Sequence, residues 1–301
     1  MLTVERANPF GAEVGGGRKK APLMSLVRRH PLISFFVLAY ALSWWPWPLY
    51  AAGIAPVPFF PTGVLLAALI VIALGQGRSG LRELGSRLIR WRVAWIWYAA
   101  ALCIPLAVAV ATLAVNVLLG APAPSLAKLS SFSIFPVVLL LRLINPVNGP
   151  VAEEPGWRGF ALPRLQWGRS PLVATLILAV LVAGWHLPYA VAGPFPPIGI
   201  LVGAFGVQFW YAWIFNRTEG SVLLALLMHS AEGTFGPLVI RGLFDGADFR
   251  RAFWIYVIAT CVTAICLVVL DRKAWQPPAA AAATSPPMPT GEAPAGITRV
   301  R

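Results

Sequence analysis

Eight long, mostly apolar stretches follow one another along this chain, near residues 32–52, 59–76, 94–120, 133–152, 171–192, 198–216, 221–240 and 252–270. A helix rising ~1.5 Å per residue needs about 17–25 such residues to cross ~30 Å of hydrocarbon, so each stretch is long enough for one crossing. The predicted fold class is therefore all-α, a polytopic transmembrane helical bundle of about eight spans. Composition supports this solvent: 58% of residues are hydrophobic and only 12% charged, where a soluble domain carries about a quarter charged residues. Mean hydropathy is +0.73. A multi-pass protein of the cell membrane is expected, with membrane lipid as its first partner.

The formal charge of +13 could suggest nucleic acid, but the bases cluster beside apolar runs, as in loops that face anionic lipid, and no nucleic-acid partner is predicted. Placing both termini in the cytoplasm leaves nineteen Lys/Arg inside: six in residues 1–30, five in 78–92, three in 158–169, Arg217 and four after 271. Lys128, Arg241, Arg250 and Arg251 then lie outside, and Arg142 falls within a span. This asymmetry favours eight spans with both ends inside. Trp44, Trp45 and Trp47, and Trp91, Trp95 and Trp97, fall where aromatic interface belts belong. The basic, amphipathic stretch 77–93 is expected along the inner surface. Residues 1–30 and 272–301 read as disordered tails around a helical domain over 31–271. Cys103, Cys261 and Cys266 lie in apolar spans without a CxxC pair, and read as reduced packing thiols.

Against this background the charged residues inside spans carry the functional signal. A charge near the bilayer centre costs at least ~2.5 kcal/mol on insertion scales, so it is rare without a role. Glu153 and Glu154 open the segment EEPGWRGFALPRLQ; His186 sits in GWHLP and His229 in LLALLMHSAEG. Counted along their helices, Glu153, His186 and His229 fall at similar depths and can meet in one cavity. Glu154 and Arg158 are four apart, on one helix face, in the favourable order for an ion pair. Glu153 then points about 100° away, towards a different neighbour. Pro155 and Gly156 predict a kink and a close approach by another helix. Glu232, one turn beyond His229, can receive its ring N–H or face a water-filled cleft. A carboxylate that takes a proton from water, a histidine that holds the water and a second donor for the oxyanion would suit hydrolysis. One Glu and two His also match an open zinc site, on Glu153, His186 and His229, although no HExxH motif is present. Metal-bound and metal-free versions both remain open at this point.

These segments resemble the three signature regions of the CPBP family of intramembrane proteases, which includes the type II CAAX prenyl endopeptidases, the bacteriocin-processing and immunity proteins and the Abi proteins. Glu153, Glu154 and Arg158 match its EExxxR motif. His186 matches the histidine of FxxxH, with Val182 in the aromatic position, and His229 matches that of HxxxN, with Gly233 in the polar position. The likeness covers about residues 130–240. It implies an all-helical bundle whose site opens within the membrane towards the cytoplasm. It further implies Glu153 as general base, His186 as its assistant, His229 at the oxyanion site, and Glu154 and Arg158 shaping the site. Both a metalloprotease and a metal-free glutamate mechanism are precedents in such proteins. The expected function is cleavage of a peptide bond in a membrane-associated protein or peptide, prenylated tails being one precedent. Gly233 lacks the side chain that the oxyanion site would use, so a non-catalytic relative that binds a membrane partner is the alternative. A proton-coupled transporter ranks third, since no internal repeat is evident.

Overall fold

Prolines punctuate this chain, and many of its helices begin on one. Pro31, Pro46, Pro150, Pro171 and Pro197 each take the first helical position, where the missing N–H has no intrahelical partner to lose and φ is already set. The computed structural model describes residues 22–147 and 149–277. In chain order its helices are α1 (Pro22–Arg29), α2 (Pro31–Trp44), α3 (Pro46–Ala51), α4 (Thr62–Gly75), α5 (Gly77–Leu88), α6 (Trp95–Leu118), α7 (Leu126–Ser130) and α8 (Phe135–Ile144). They continue as α9 (Pro150–Gly156), α10 (Leu162–Gln166), α11 (Pro171–Trp185), α12 (Leu187–Ala192), α13 (Pro197–Arg217), α14 (Val222–Leu243) and α15 (Gly246–Leu270). A π-helical turn, Trp157–Ala161, joins α9 to α10. The described residues contain no strand, so the all-α class holds. Within the stretches expected as tails, Pro22–Arg29 is helical and Arg272–Trp275 forms a 3₁₀ turn; residues 1–21 and 278–301 lie outside the described residues.

Five helical stretches are long and apolar enough to cross a membrane: Pro31–Ala51, Trp95–Leu118, Pro197–Arg217, Val222–Leu243 and Gly246–Leu270. The other three expected spans contain shorter apolar helices, Thr62–Gly75, Phe135–Ile144 and Pro171–Trp185. A 14-residue helix reaches only about 21 Å. Glycine and proline shorten two of them. After α8 the chain breaks at Asn145–Pro146 and restarts at Pro150, preceded by Gly149 at φ 91°, a conformation that a side chain disfavours. α11 ends at Trp185 because Pro188 has no N–H to continue its ladder.

The outer surface is apolar where a soluble protein's would be charged. Ile258, Val262, Ile265 and Val269 recur on one face of α15, and each is more than half exposed; at helical spacing this is a lipid-facing stripe. Of the tryptophan clusters, Trp45, Trp91 and Trp95 are exposed as a belt requires. Trp44 instead turns inward to donate from Nε1 to the Trp185 carbonyl at 2.9 Å, and Trp97 packs on Trp213.

α14 packs against α6 and α13, while α4 packs against both α2 and α9. The last contact depends on Gly156. A Cβ there would lie 2.4 Å from Val64 Cγ1 and 3.0 Å from the Val64 carbonyl oxygen, so only glycine lets α4 come so close. A π turn follows Pro155 and Gly156, where the kink was expected. Its freed carbonyls find donors in arginines: Arg87 Nη1 of α5 donates to Gly159 O at 3.1 Å, and Arg164 Nη1 to Phe160 O at 2.9 Å. α5 is thus the amphipathic helix expected at 77–93, and it also supports the segment that carries Arg158.

Candidate active site

α9 begins the construction. Its adjacent glutamates turn to different neighbours, as their 100° offset requires. Glu154 and Arg158 have no exposed surface, whereas Glu153 keeps 7% and lines a cavity of about 430 Å³. The same cavity is lined by His186, from the turn between α11 and α12, and by His229, from α14. The three residues expected to share a cavity line the same one. Glu154 and Arg158 stand behind the cavity wall instead of lining it.

Behind that wall lies a buried polar network. Glu154 Oε1 accepts from Arg158 Nη1 at 3.2 Å and contacts His229 Nδ1 at 2.8 Å. Arg158 Nη2 donates to Gln208 Oε1 at 2.5 Å, and Gln208 Nε2 donates to the Ala204 carbonyl at 3.0 Å. Arg158 also lies over the Tyr211 ring, 5.0 Å from its centroid, while that ring stacks on His229 at 4.7 Å. A carboxylate accepts only, so His229 donates through Nδ1 and leaves Nε2 to the cavity. The imidazole is fixed on one edge by Glu154 and on one face by Tyr211.

Glu232 does not take the role expected for it beside His229. Its Oε1 accepts from Tyr256 and its Oε2 from Tyr211, at 2.9 and 3.2 Å. Two tyrosine hydroxyls from α13 and α15 hold this carboxylate, so His229 is turned to Glu154 on another helix. Glu232 does line the cavity, its other expected placement. His186 is set differently. Its Nδ1 lies 2.8 Å from the Val182 carbonyl, which accepts only, so Nδ1 carries the proton and Nε2 is left for a ligand. Trp185 and Phe59 pack around its ring at 4.9 and 6.2 Å. Val182 contributes this carbonyl, while its side chain is buried in the core.

Among the described residues Glu153 accepts no hydrogen bond, which makes it the free carboxylate of the site. Among them, too, no three His, Cys, Asp or Glu side chains are grouped so as to hold a metal ion. The Glu153, His186 and His229 set expected for zinc is not grouped that closely among the described residues, while both imidazoles spend Nδ1 on a protein oxygen and keep Nε2, the bond pattern that also orients metal-ligating histidines. What the arrangement offers is a free carboxylate and two oriented imidazoles around a space large enough for a peptide unit and water.

Several contributors were not apparent in the sequence. Gln208 and Tyr211 lie in the apolar run GVQFWYAWIFNR, where a glutamine deep in a span is itself a signal. Tyr256 on α15 and Arg142 on α8 also line the cavity. The far wall is apolar, with Phe195, Ile200, Phe253 and Val257.

Residues 135–235 match the family described as type II CAAX prenyl endopeptidase Rce1-like. The matched stretch is about a third of the chain and contains Glu153, Glu154, Arg158, His186 and His229. No curated protein matches the chain.

Proposed function

The chain belongs, through residues 135–235, to the CPBP family of intramembrane proteases, and from that premise we propose that it hydrolyses a peptide bond in a membrane-associated protein or peptide. The observation that carries this reading is Glu153, a cavity-lining carboxylate that accepts no hydrogen bond among the described residues, in one cavity with a histidine that spends Nδ1 on a carbonyl and keeps Nε2 for a ligand. Water held by His186 Nε2 gives a proton to Glu153, and its oxygen adds to the substrate carbonyl carbon. The carbonyl oxygen becomes an anion. When the intermediate collapses, the C–N bond breaks and the proton on Glu153 passes to the leaving nitrogen. For His229 to donate from Nε2 to this anion it must carry a proton on both nitrogens, with Nδ1 held by Glu154. The apolar wall suits a substrate that enters from lipid, prenylated or not.

The test is cleavage of a membrane-peptide library by the purified protein in nanodiscs, beside Glu153→Gln and His186→Ala. We expect turnover in the wild type and a loss of about 10²-fold or more in each variant, the range for a removed general base. A chelator added to the same assay separates the two mechanisms: unchanged turnover supports a metal-free carboxylate base, and loss of turnover a bound metal. Full activity of Glu153→Gln would overturn the assignment of the base. Gly233, with no side chain in the polar position, favours a second reading, in which the protein binds a membrane partner without cleaving it. A wild type that captures a library peptide as Glu153→Gln does, and leaves it intact, would support that reading.

A further inference from the structure

Arg142 reaches from α8 into the same cavity, and its guanidinium sits against α14 at Gly233. A Cβ on Gly233 would lie 2.0 Å from Arg142 Nη2, 2.5 Å from Cζ and 2.8 Å from Nε. The guanidinium thus fills the volume that any side chain at position 233 would need. Nη2 is also 3.6 Å from where a Cβ on Gly149 would stand, so it is wedged between α14 and the start of α9. Gly233 follows His229 by four residues, which puts this guanidinium and that imidazole one turn apart on one helix face.

Arg142 is, among the described residues, a cation without a close counter-ion. Among the described residues no carboxylate lies within ion-pairing distance of it, and its buried Nε has no hydrogen-bond partner. Glu232 shares the cavity, but its two oxygens accept from Tyr211 and Tyr256. An unpaired guanidinium inside an apolar bundle is costly and is retained where an anion comes to meet it. In the hydrolysis proposed above, one species becomes anionic within the cavity, the carbonyl oxygen of the attacked peptide bond.

We propose that Arg142 is a catalytic residue that donates to this oxygen in the tetrahedral intermediate, alongside His229. Gly233 then admits a donor from another helix instead of removing one. The inference rests on the peptidase reading and identifies its oxyanion site. As water oxygen bonds to the carbonyl carbon, the C=O π electrons move onto oxygen and Arg142 N–H groups bind the charge. The charge returns to the C=O bond as the C–N bond breaks, and Arg142 keeps its protons throughout. The other substrate oxygen anion that a guanidinium could hold is a peptide's terminal carboxylate, which would be bound before any chemistry.

The experiment is steady-state kinetics of Arg142→Gln, Arg142→Lys, Gly233→Ala and Arg142→Gln/Gly233→Ala in nanodiscs, on one cleaved peptide with a free or an amidated C-terminus. Removing an oxyanion donor costs about 10²–10³-fold in kcat. Arg142→Gln should fall in that range with KM nearly unchanged on both peptides, and Arg142→Lys should recover part of the loss. Gly233→Ala should lower kcat to a similar degree by displacing the guanidinium, and should add nothing in the Arg142→Gln background. A phosphinate isostere of the peptide, a tetrahedral anion, should bind Arg142→Gln at least tenfold more weakly than wild type, while the intact peptide binds both alike. A loss confined to KM and to the free-carboxylate peptide would overturn the oxyanion role in favour of terminus recognition. Unchanged kcat and phosphinate affinity in Arg142→Gln would overturn it outright. If Glu153→Gln is inactive in the same assay, such a failure leaves the peptidase reading standing; a wild type that cleaves no library peptide overturns both.

Discussion

Glu153 and Glu154 differ by one position in sequence, and they should differ in kind when replaced. Glu154→Ala strips Arg158 and His229 of a shared acceptor and leaves a guanidinium with no exposed surface unpaired. Breaking a buried pair in this way costs about 3–5 kcal/mol. Glu153→Gln removes a charge that forms no close ion pair among the described residues, so stability should stay within about 1 kcal/mol of wild type, or rise. Denaturant unfolding in detergent, run beside the peptidase assay, reads both. A Glu153→Gln protein as unstable as Glu154→Ala would show that Glu153 is structural. Tyr211 offers a finer test. Tyr211→Phe gives up a hydroxyl to Glu232 and keeps the ring on His229, whereas Tyr211→Leu loses the stack, worth about 0.5–1.5 kcal/mol. Turnover should therefore drop further in Tyr211→Leu than in Tyr211→Phe. At this scale the sequence was readable where partners are local. The i,i+4 spacing showed the Glu154–Arg158 pair and the rotation of Glu153 away from it. It could not show that Glu154 also holds His229, seventy-five residues away, or that Glu232 answers to two tyrosines on other helices. Gly233 looked like a deletion, because the guanidinium that fills its space comes from α8.

The elements around the site depend on contacts that a reading of single segments misses. EEPGWRG contains a proline and a glycine, which is enough to expect a distorted helix. Its form, a π turn over Trp157–Ala161, is stabilised by donors from outside the segment. Arg87→Ala should therefore destabilise the protein by about 1–2 kcal/mol through the lost bond to Gly159 O, although Arg87 does not line the cavity. Gly156→Ala should cost more than a surface change, about 1–3 kcal/mol, because the new Cβ meets both backbone and side chain of Val64. Thermal unfolding in detergent checks both, and a Gly156→Ala protein as stable as wild type would mean that α4 and α9 can separate freely. Hydropathy located the apolar elements because lipid exposure is a property of each stretch alone. It overstated the length of three, since runs such as 133–152 stay apolar across a proline or a glycine at φ 91° that ends the helix.

At the scale of the whole molecule, side-chain contacts sort the loops into two ends, and they do so independently of the charge count. Ser221 Oγ donates to Arg90 O, Gln166 Nε2 to Asn216 Oδ1, Arg164 Nη2 to Gln76 Oε1, and Arg217 pairs with Asp271 at 3.1 Å. These contacts gather 76–92, 164–166, 216–221 and 271 at one end. Lys128 Nζ donates to Leu243 O, and Arg251 Nε to Asn116 Oδ1, which gathers 116–128 and 243–251 at the other. α14, about 33 Å long, runs between the two ends. The first end holds the loops read as base-rich and the second those read as base-poor, so the positive-inside rule assigns the first to the cytoplasm. Impermeant maleimide labelling of intact cells tests the assignment. In a chain with Cys103, Cys261 and Cys266 replaced by Ala, Lys128→Cys should react from outside, and Arg82→Cys only after permeabilisation. Both native side chains are exposed, so failure to react reports sidedness and not burial. The reverse pattern would invert the protein. Labelling of both positions from outside would break the grouping of loops on which the orientation depends, and with it the expectation that substrate reaches Glu153 from the cytoplasmic side.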